Sequence, residues 1–149
     1  MYDTILVPLD GSERAETVLP HVHSLAGKYN AKVSLLRVEE PALMLEYDEV
    51  ADVSKIHDAF EKRTAEAKAY LEKQEKKFTD RGLNVELRLA FGPVVKTIID
   101  FAGNVAADLV AMASHGFGGS RRMFYGSVAA GVLQRIDRPL LIVRSRRKK

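Results

Sequence analysis

Residues 112–128 read Met-Ala-Ser-His-Gly-Phe-Gly-Gly-Ser-Arg-Arg-Met-Phe-Tyr-Gly-Ser-Val, and this mixture of residue types points to anion binding. Its glycines let backbone N–H groups approach a ligand closely. Arg121 and Arg122 add formal charge. The apolar run 107–113 before it reads as a buried strand, and residues 127–134 after it read as a helix. A strand feeding a Gly-rich loop that opens a helix is the layout of a phosphate site, because the free N–H groups of a helix start attract negative charge. The chemistry implied is nucleotide binding.

Known phosphate motifs narrow this. No Gly-Lys-Ser/Thr occurs anywhere, so the P-loop is excluded. The dinucleotide fingerprint fails too. Gly116 and Gly118 are followed by Arg121 where a third small residue belongs, and the loop follows the fourth strand rather than the first. A phosphoacceptor receiver domain needs an acidic pair after the first strand and an aspartate ending the third. The chain offers only Asp10 and Ala90-Phe91-Gly92.

The other reactive types read more plainly. Asp10 either orients a ligand or caps local N–H groups in a turn. Ser127 either binds phosphate through Oγ or caps the fourth helix, and the two roles are compatible. His115 reads as a loop residue rather than a catalytic base, with no nucleophile or acid partner evident beside it. His21 and His23, two apart on a helix, face different ways and make poor metal ligands. Phe124 and Tyr125 read as packing beneath the loop.

These residues need a scaffold. Residues 4–9 (Thr-Ile-Leu-Val-Pro-Leu) form a continuous apolar run, as expected of a strand covered on both faces. Asp10-Gly11-Ser12 is a turn, Ser12 caps a helix reaching Tyr29, and Pro20 is expected to kink it. Residues 32–39 are a second strand, and 41–53 a loop. A long amphipathic helix covers 54–81, with Ile56, Phe60, Ala67, Leu71 and Phe78 as its core stripe and Gly82 as its cap. A third strand (85–91), a Gly92-Pro93 turn, a helix (94–106), a fourth strand (108–114) and a fifth strand (139–144) follow.

Alternating strands and helices imply right-handed crossovers and a parallel five-stranded α/β sheet, helices on both faces. With strand order 3-2-1-4-5, the reversal of winding falls between strands one and four, where ligands bind. Asp10-Gly11-Ser12 and Ser114-His115-Gly116 would face one crevice there.

The 149 residues suit one domain, 1–144, followed by a basic tail, 145–149. Without Arg144, Arg146, Arg147, Lys148 and Lys149 the net charge of +3 falls near zero, so no nucleic-acid surface is indicated. No apolar run is long enough to span a membrane. With Met1 passing directly into a strand, no secretory leader is expected, and zero cysteines exclude disulfides. A cytoplasmic protein is expected.

One pattern fits the loop: Gly116, nine residues, then Gly126-Ser127 resembles the G-x-x-G-x9-G-[ST] motif of universal stress proteins, with Ala113 in place of the first glycine. The resemblance extends over nearly the whole chain. It includes Ile-Leu-Val-Pro-Leu-Asp-Gly-Ser at the start, Leu-Leu-Arg-Val ending the second strand, Ala-Asp-Leu-Val-Ala-Met-Ala-Ser-His-Gly, and Arg-Pro-Leu-Leu-Ile-Val-Arg.

The resemblance implies a Rossmann-like, ATP-binding domain with adenine between the ends of strands one and two and triphosphate in the loop after strand four. Asp10 would then sit by the adenosine, Val38 would line the base, and Gly116, Gly126, Ser127 and Val128 would contact ribose or phosphates. The full candidate set is Pro8, Leu9, Asp10, Val38, Met112, Ala113, Ser114, His115, Gly116, Gly126, Ser127 and Val128. No residue is assigned a catalytic or metal-ligating role. The expected ligand is ATP or AMP, with Mg2+ or Mn2+ held through the phosphates. The expected function is regulation in a stress response, with slow hydrolysis at most. The alternatives are a weak ATPase or other nucleotide-processing enzyme, or a protein–protein module with a vestigial site. A homodimer through the fifth strand is also expected, since that apolar strand lies at the sheet edge with both faces read as buried.

Overall fold

The five expected strands form and run parallel: β1 (Thr4–Pro8), β2 (Lys32–Glu39), β3 (Val85–Phe91), β4 (Leu109–Ala113) and β5 (Leu140–Val143). They form one sheet in the order β3-β2-β1-β4-β5, the order expected above. The computed structural model describes residues 1–40, 53–116 and 126–145. The loop 41–52, Arg121, Arg122, Phe124, Tyr125 and the tail beyond Ser145 lie outside the described residues.

The central strands are covered on both faces. Ile5, Val7, Val33, Leu35, Leu109 and Ala111 pack on one side with Val22 and Ala26 of α1 (Leu19–Tyr29) and Leu71 and Phe78 of α2 (Val53–Thr79). Leu6, Leu36, Val110 and Met112 pack on the other with Ile98 and Ala102 of α3 (Val94–Asn104) and Ala129 and Val132 of α4 (Ser127–Arg135). Each such Val, Leu, Ile, Phe or Met side chain withdrawn from water contributes about 1.5–3 kcal/mol, which is why the runs of the central strands are continuous rather than alternating.

Four expectations need correction. The first helix does not run from Ser12. A 3-10 turn, Ala15–Val18, precedes α1, and Pro20 sits in the first turn of α1, where its missing N–H costs nothing, so it does not kink the helix. Ser12 still caps, its Oγ accepting the Ala15 N–H at 3.1 Å. The α2 stripe is core only from Ala67 onward. Phe60 is exposed, its ring 5.0 Å from the equally exposed Phe91, because the stripe there reaches past the sheet edge at β3. Ser127 is not the cap of α4: Gly126 holds that position, with no side-chain cap bond. The residues of β5 are half-buried rather than buried, since β5 has a neighbour on one side only.

The crevice has a covalent origin. Leu9 donates its N–H to Leu36 of β2, so alternation along the strand turns the nitrogen of Pro8 toward β4. Proline has no N–H to give, and β1 and β4 pair only at Ile5 and Leu6. Beyond that point the two strands diverge.

Candidate nucleotide-binding site

All twelve candidate residues line one cavity of about 360 Å³ at the carboxyl ends of the strands. It opens where β1 and β4 diverge, the place that topology assigns to a ligand. Ala15, Leu36, Val94, Ile98 and Ala129 line it as well. Their apolar types read only as core in the sequence. The Pro93 start of α3 was the one signal that another helix end points this way.

The turn after β1 is braced from both sides. Asp10 Oδ1 accepts the Ser12 N–H at 2.9 Å and the Ser12 hydroxyl at 2.6 Å. Gly11 has φ 91°, and a Cβ on it would stand 2.6 Å from Arg37 Nη1. Arg37 donates from Nε to Glu39 at 3.0 Å, and its guanidinium carbon lies 5.2 Å from the Tyr70 ring centre. Tyr70 donates to Glu16 at 3.2 Å; burial first and then Glu16 raise its pKa above the ordinary 10.0. This network holds the turn in place, and with it Asp10.

Across the crevice, Gly116 lies directly against the other Asp10 oxygen. A side chain on it would overlap the carboxylate, with Cβ 2.7 Å from Asp10 Cγ. Gly126 donates its N–H to Ser114 at 2.7 Å, which sets the start of α4 under the end of β4. The first i to i−4 bond of α4 runs from Ala130 to Gly126. The preceding N–H groups therefore have no helical partner, and Ser127, Val128 and Ala129 line the cavity. Ala113 ends β4 with φ outside the left-handed region, so its methyl causes no backbone strain.

His115 is buried, and its Nδ1 lies 2.9 Å from Ser114 Oγ. Sequence reading missed this hydroxyl because neighbours on a strand point to opposite faces; both residues lie past the end of β4, where alternation lapses. His23 belongs elsewhere, against Arg81 and Phe78, and His21 is exposed. Among the described residues no three His, Asp or Glu converge to hold a metal ion.

A model described as the universal stress protein family matches residues 1–144. Universal stress protein MJ0577 of Methanocaldococcus jannaschii is 31% identical over 155 residues, spanning 97% of this chain and 96% of that protein. A solved structure of MJ0577 superposes with a TM-score of 0.88 at 28% identity, covering 99% of each chain. A universal stress protein solved in complex with cAMP gives a TM-score of 0.71 at 24% identity, over 96% of this chain and 97% of the other. An Arabidopsis thaliana family protein with AMP bound gives 0.69 at 17%, over 97% and 92%. These last two likenesses carry the fold.

Proposed function

Because the chain belongs to the universal stress protein family, we propose that its crevice binds an adenine nucleotide, ATP or AMP, and that occupancy serves regulation of a stress response rather than turnover. The base occupies the apolar wall formed by Leu36, Val38, Val94 and Ile98. Ribose and phosphates lie toward Asp10, Gly116 and the start of α4. The observation that carries this reading is one cavity joining an apolar wall to an uncapped helix N-terminus. The first suits a purine and the second suits phosphate. The nucleotides in the cAMP and AMP complexes of other family members support the choice of adenine.

Among the described residues no three His, Asp or Glu converge to hold a metal ion by themselves. Mg2+ or Mn2+ would arrive on a triphosphate. No described helix is long and apolar enough to cross a membrane, and we read the cytoplasm as the working compartment. A second copy pairs along the open edge of β5.

The test is a melting scan in excess nucleotide. At about 100 times Kd a ligand adds roughly 2.7 kcal/mol, and a domain of this size gains about 2–4 °C per kcal/mol. A shift of several degrees with ATP, ADP or AMP is expected, and no shift with any of them overturns the reading. Steady-state hydrolysis above about 1 per second would move the protein into the enzyme class.

A further inference from the structure

The β4–β5 ladder ends irregularly beside the crevice. Val110 donates its N–H to Pro139, and Ser114 donates its N–H to Val143 at 2.8 Å, with Ala113 opposite Val143. Bonds in a parallel ladder run alternately in the two directions at even spacing, so the next one should return from the Ser145 N–H to the Ser114 carbonyl. It does not. That carbonyl accepts the Gly126 N–H at 2.7 Å, and the Ser145 N–H goes to Ser114 Oγ at 3.1 Å. Ser114 and Ser145 are both buried, so an N–H left without an acceptor there would have no water to turn to.

The side chain of Ser114 thus stands in for its own main chain. With Oγ serving the edge strand, the carbonyl is released to hold Gly126, the cap residue of α4. That cap has no side-chain bond, so the short main-chain bond to Ser114 sets where the helix begins. Ser127, Val128 and Ala129 follow along the cavity, and the first N–H of α4 with a helical partner is that of Ala130. Ser145 is held from its far side as well, Arg14 donating to its carbonyl at 3.4 Å. A hydroxyl offers two lone pairs, so Oγ can take the Ser145 N–H whichever way its 2.9 Å contact with His115 Nδ1 runs.

We propose that Ser114 is a positioning residue for the phosphate end of the crevice. Its hydroxyl takes over the last rung of the β4–β5 ladder so that its carbonyl can hold Gly126, and with Gly126 the N–H groups of α4 that meet a phosphate. The phosphate half of this rests on the nucleotide reading above; the exchange of acceptors stands without it.

The first test uses nucleotide-free wild type labelled with carbon-13 and nitrogen-15. A coupling through the hydrogen bond should link the Gly126 nitrogen to the Ser114 carbonyl carbon, and none should link the Ser145 nitrogen to that carbon. A Ser145 coupling there overturns the proposal without any variant. In Ser114→Ala the Gly126 and Ser145 N–H groups share one carbonyl, so both should exchange with solvent faster than in the wild type. Ser114→Thr, which restores the hydroxyl, should slow them again. Calorimetric affinity for AMP and ATP should fall roughly three- to tenfold in Ser114→Ala, the worth of one hydrogen bond, and return in Ser114→Thr. Adenosine should lose less, because it brings no phosphate to α4, whereas a general loosening of the fold would weaken all three ligands alike. A Gly126 amide that exchanges as in the wild type overturns the proposal, as does an equal loss for adenosine and AMP. If the couplings and amides behave as expected but the wild type takes up none of the three ligands, the nucleotide reading fails and the tie between the edge strand and α4 stands.

Discussion

The Asp10 carboxylate rests on the bare α-carbon of Gly116, two residues 106 apart in sequence that meet where β1 and β4 diverge. One Asp10 oxygen is engaged by Ser12, so the carboxylate has little freedom to retreat from a side chain at 116.

Gly116→Ala should therefore cost about 1–3 kcal/mol, the usual penalty for overpacking. Most of that cost should vanish when Asp10 is also replaced by Gly, because the clash is between those two groups. A double-mutant cycle in urea reads the coupling. Additive effects would mean that Gly116 is required for some other reason.

Gly126→Asp should leave apo stability close to wild type while removing the nucleotide-induced rise in Tm. The φ of −64° at Gly126 suits any residue, and aspartate is a favoured helix cap. Its Cβ would stand 3.1 Å from the Ser114 carbonyl, a tight fit but not an overlap. The added charge would repel phosphate at the start of α4. A variant that keeps the ligand shift places the phosphates elsewhere.

Light scattering at micromolar concentration should give about twice 16.6 kDa. Val110 bonds to Pro139 and Ser114 to Val143, so the odd-numbered residues of β5 face β4. By alternation Leu140 and Ile142 turn their backbone groups to the open edge. Ile142→Pro should then shift the protein toward monomer without breaking the β4–β5 ladder, whereas Leu141→Pro should damage the fold itself. A folded dimer in Ile142→Pro puts the interface somewhere else.

Stability should fall as pH drops below neutrality, and His23 should be one source. Arg81 Nη1 lies 3.0 Å from its Nδ1, the ring packs on Phe78 at 4.1 Å, and Nε2 is buried without a partner. Burial, then Arg81 and Lys77, hold its pKa below the ordinary 6.5. The unfolded chain therefore takes up the proton first as pH falls through 6.5, and stability declines until the folded-state pKa is passed. His23→Gln should flatten that part of the profile in urea midpoints measured across the acid range. An unchanged slope would assign the pH dependence to other groups.

Much of this protein was legible without coordinates. The central strands β1 and β4 are continuous apolar runs because they are covered on both faces, and the alternation of strands with helices implies a parallel sheet. The crevice followed from the expected strand order, and the twelve candidate residues came together because each sits at a strand end or helix start that topology brings to one side. Ala15, Val94 and Ile98 were missed because an apolar residue facing a cavity has the same local pattern as one facing a neighbour. Phe60 was misplaced for the reverse reason: helical periodicity says which side is apolar, not where the sheet beneath it stops. The contact of Asp10 with Gly116, the hold of Ser145 on Ser114 and the packing of His23 on Phe78 were decided only by the tertiary structure. Local propensity records what each segment needs to bury, whereas such contacts depend on the distance between chain-distant atoms, which only the packed layers set.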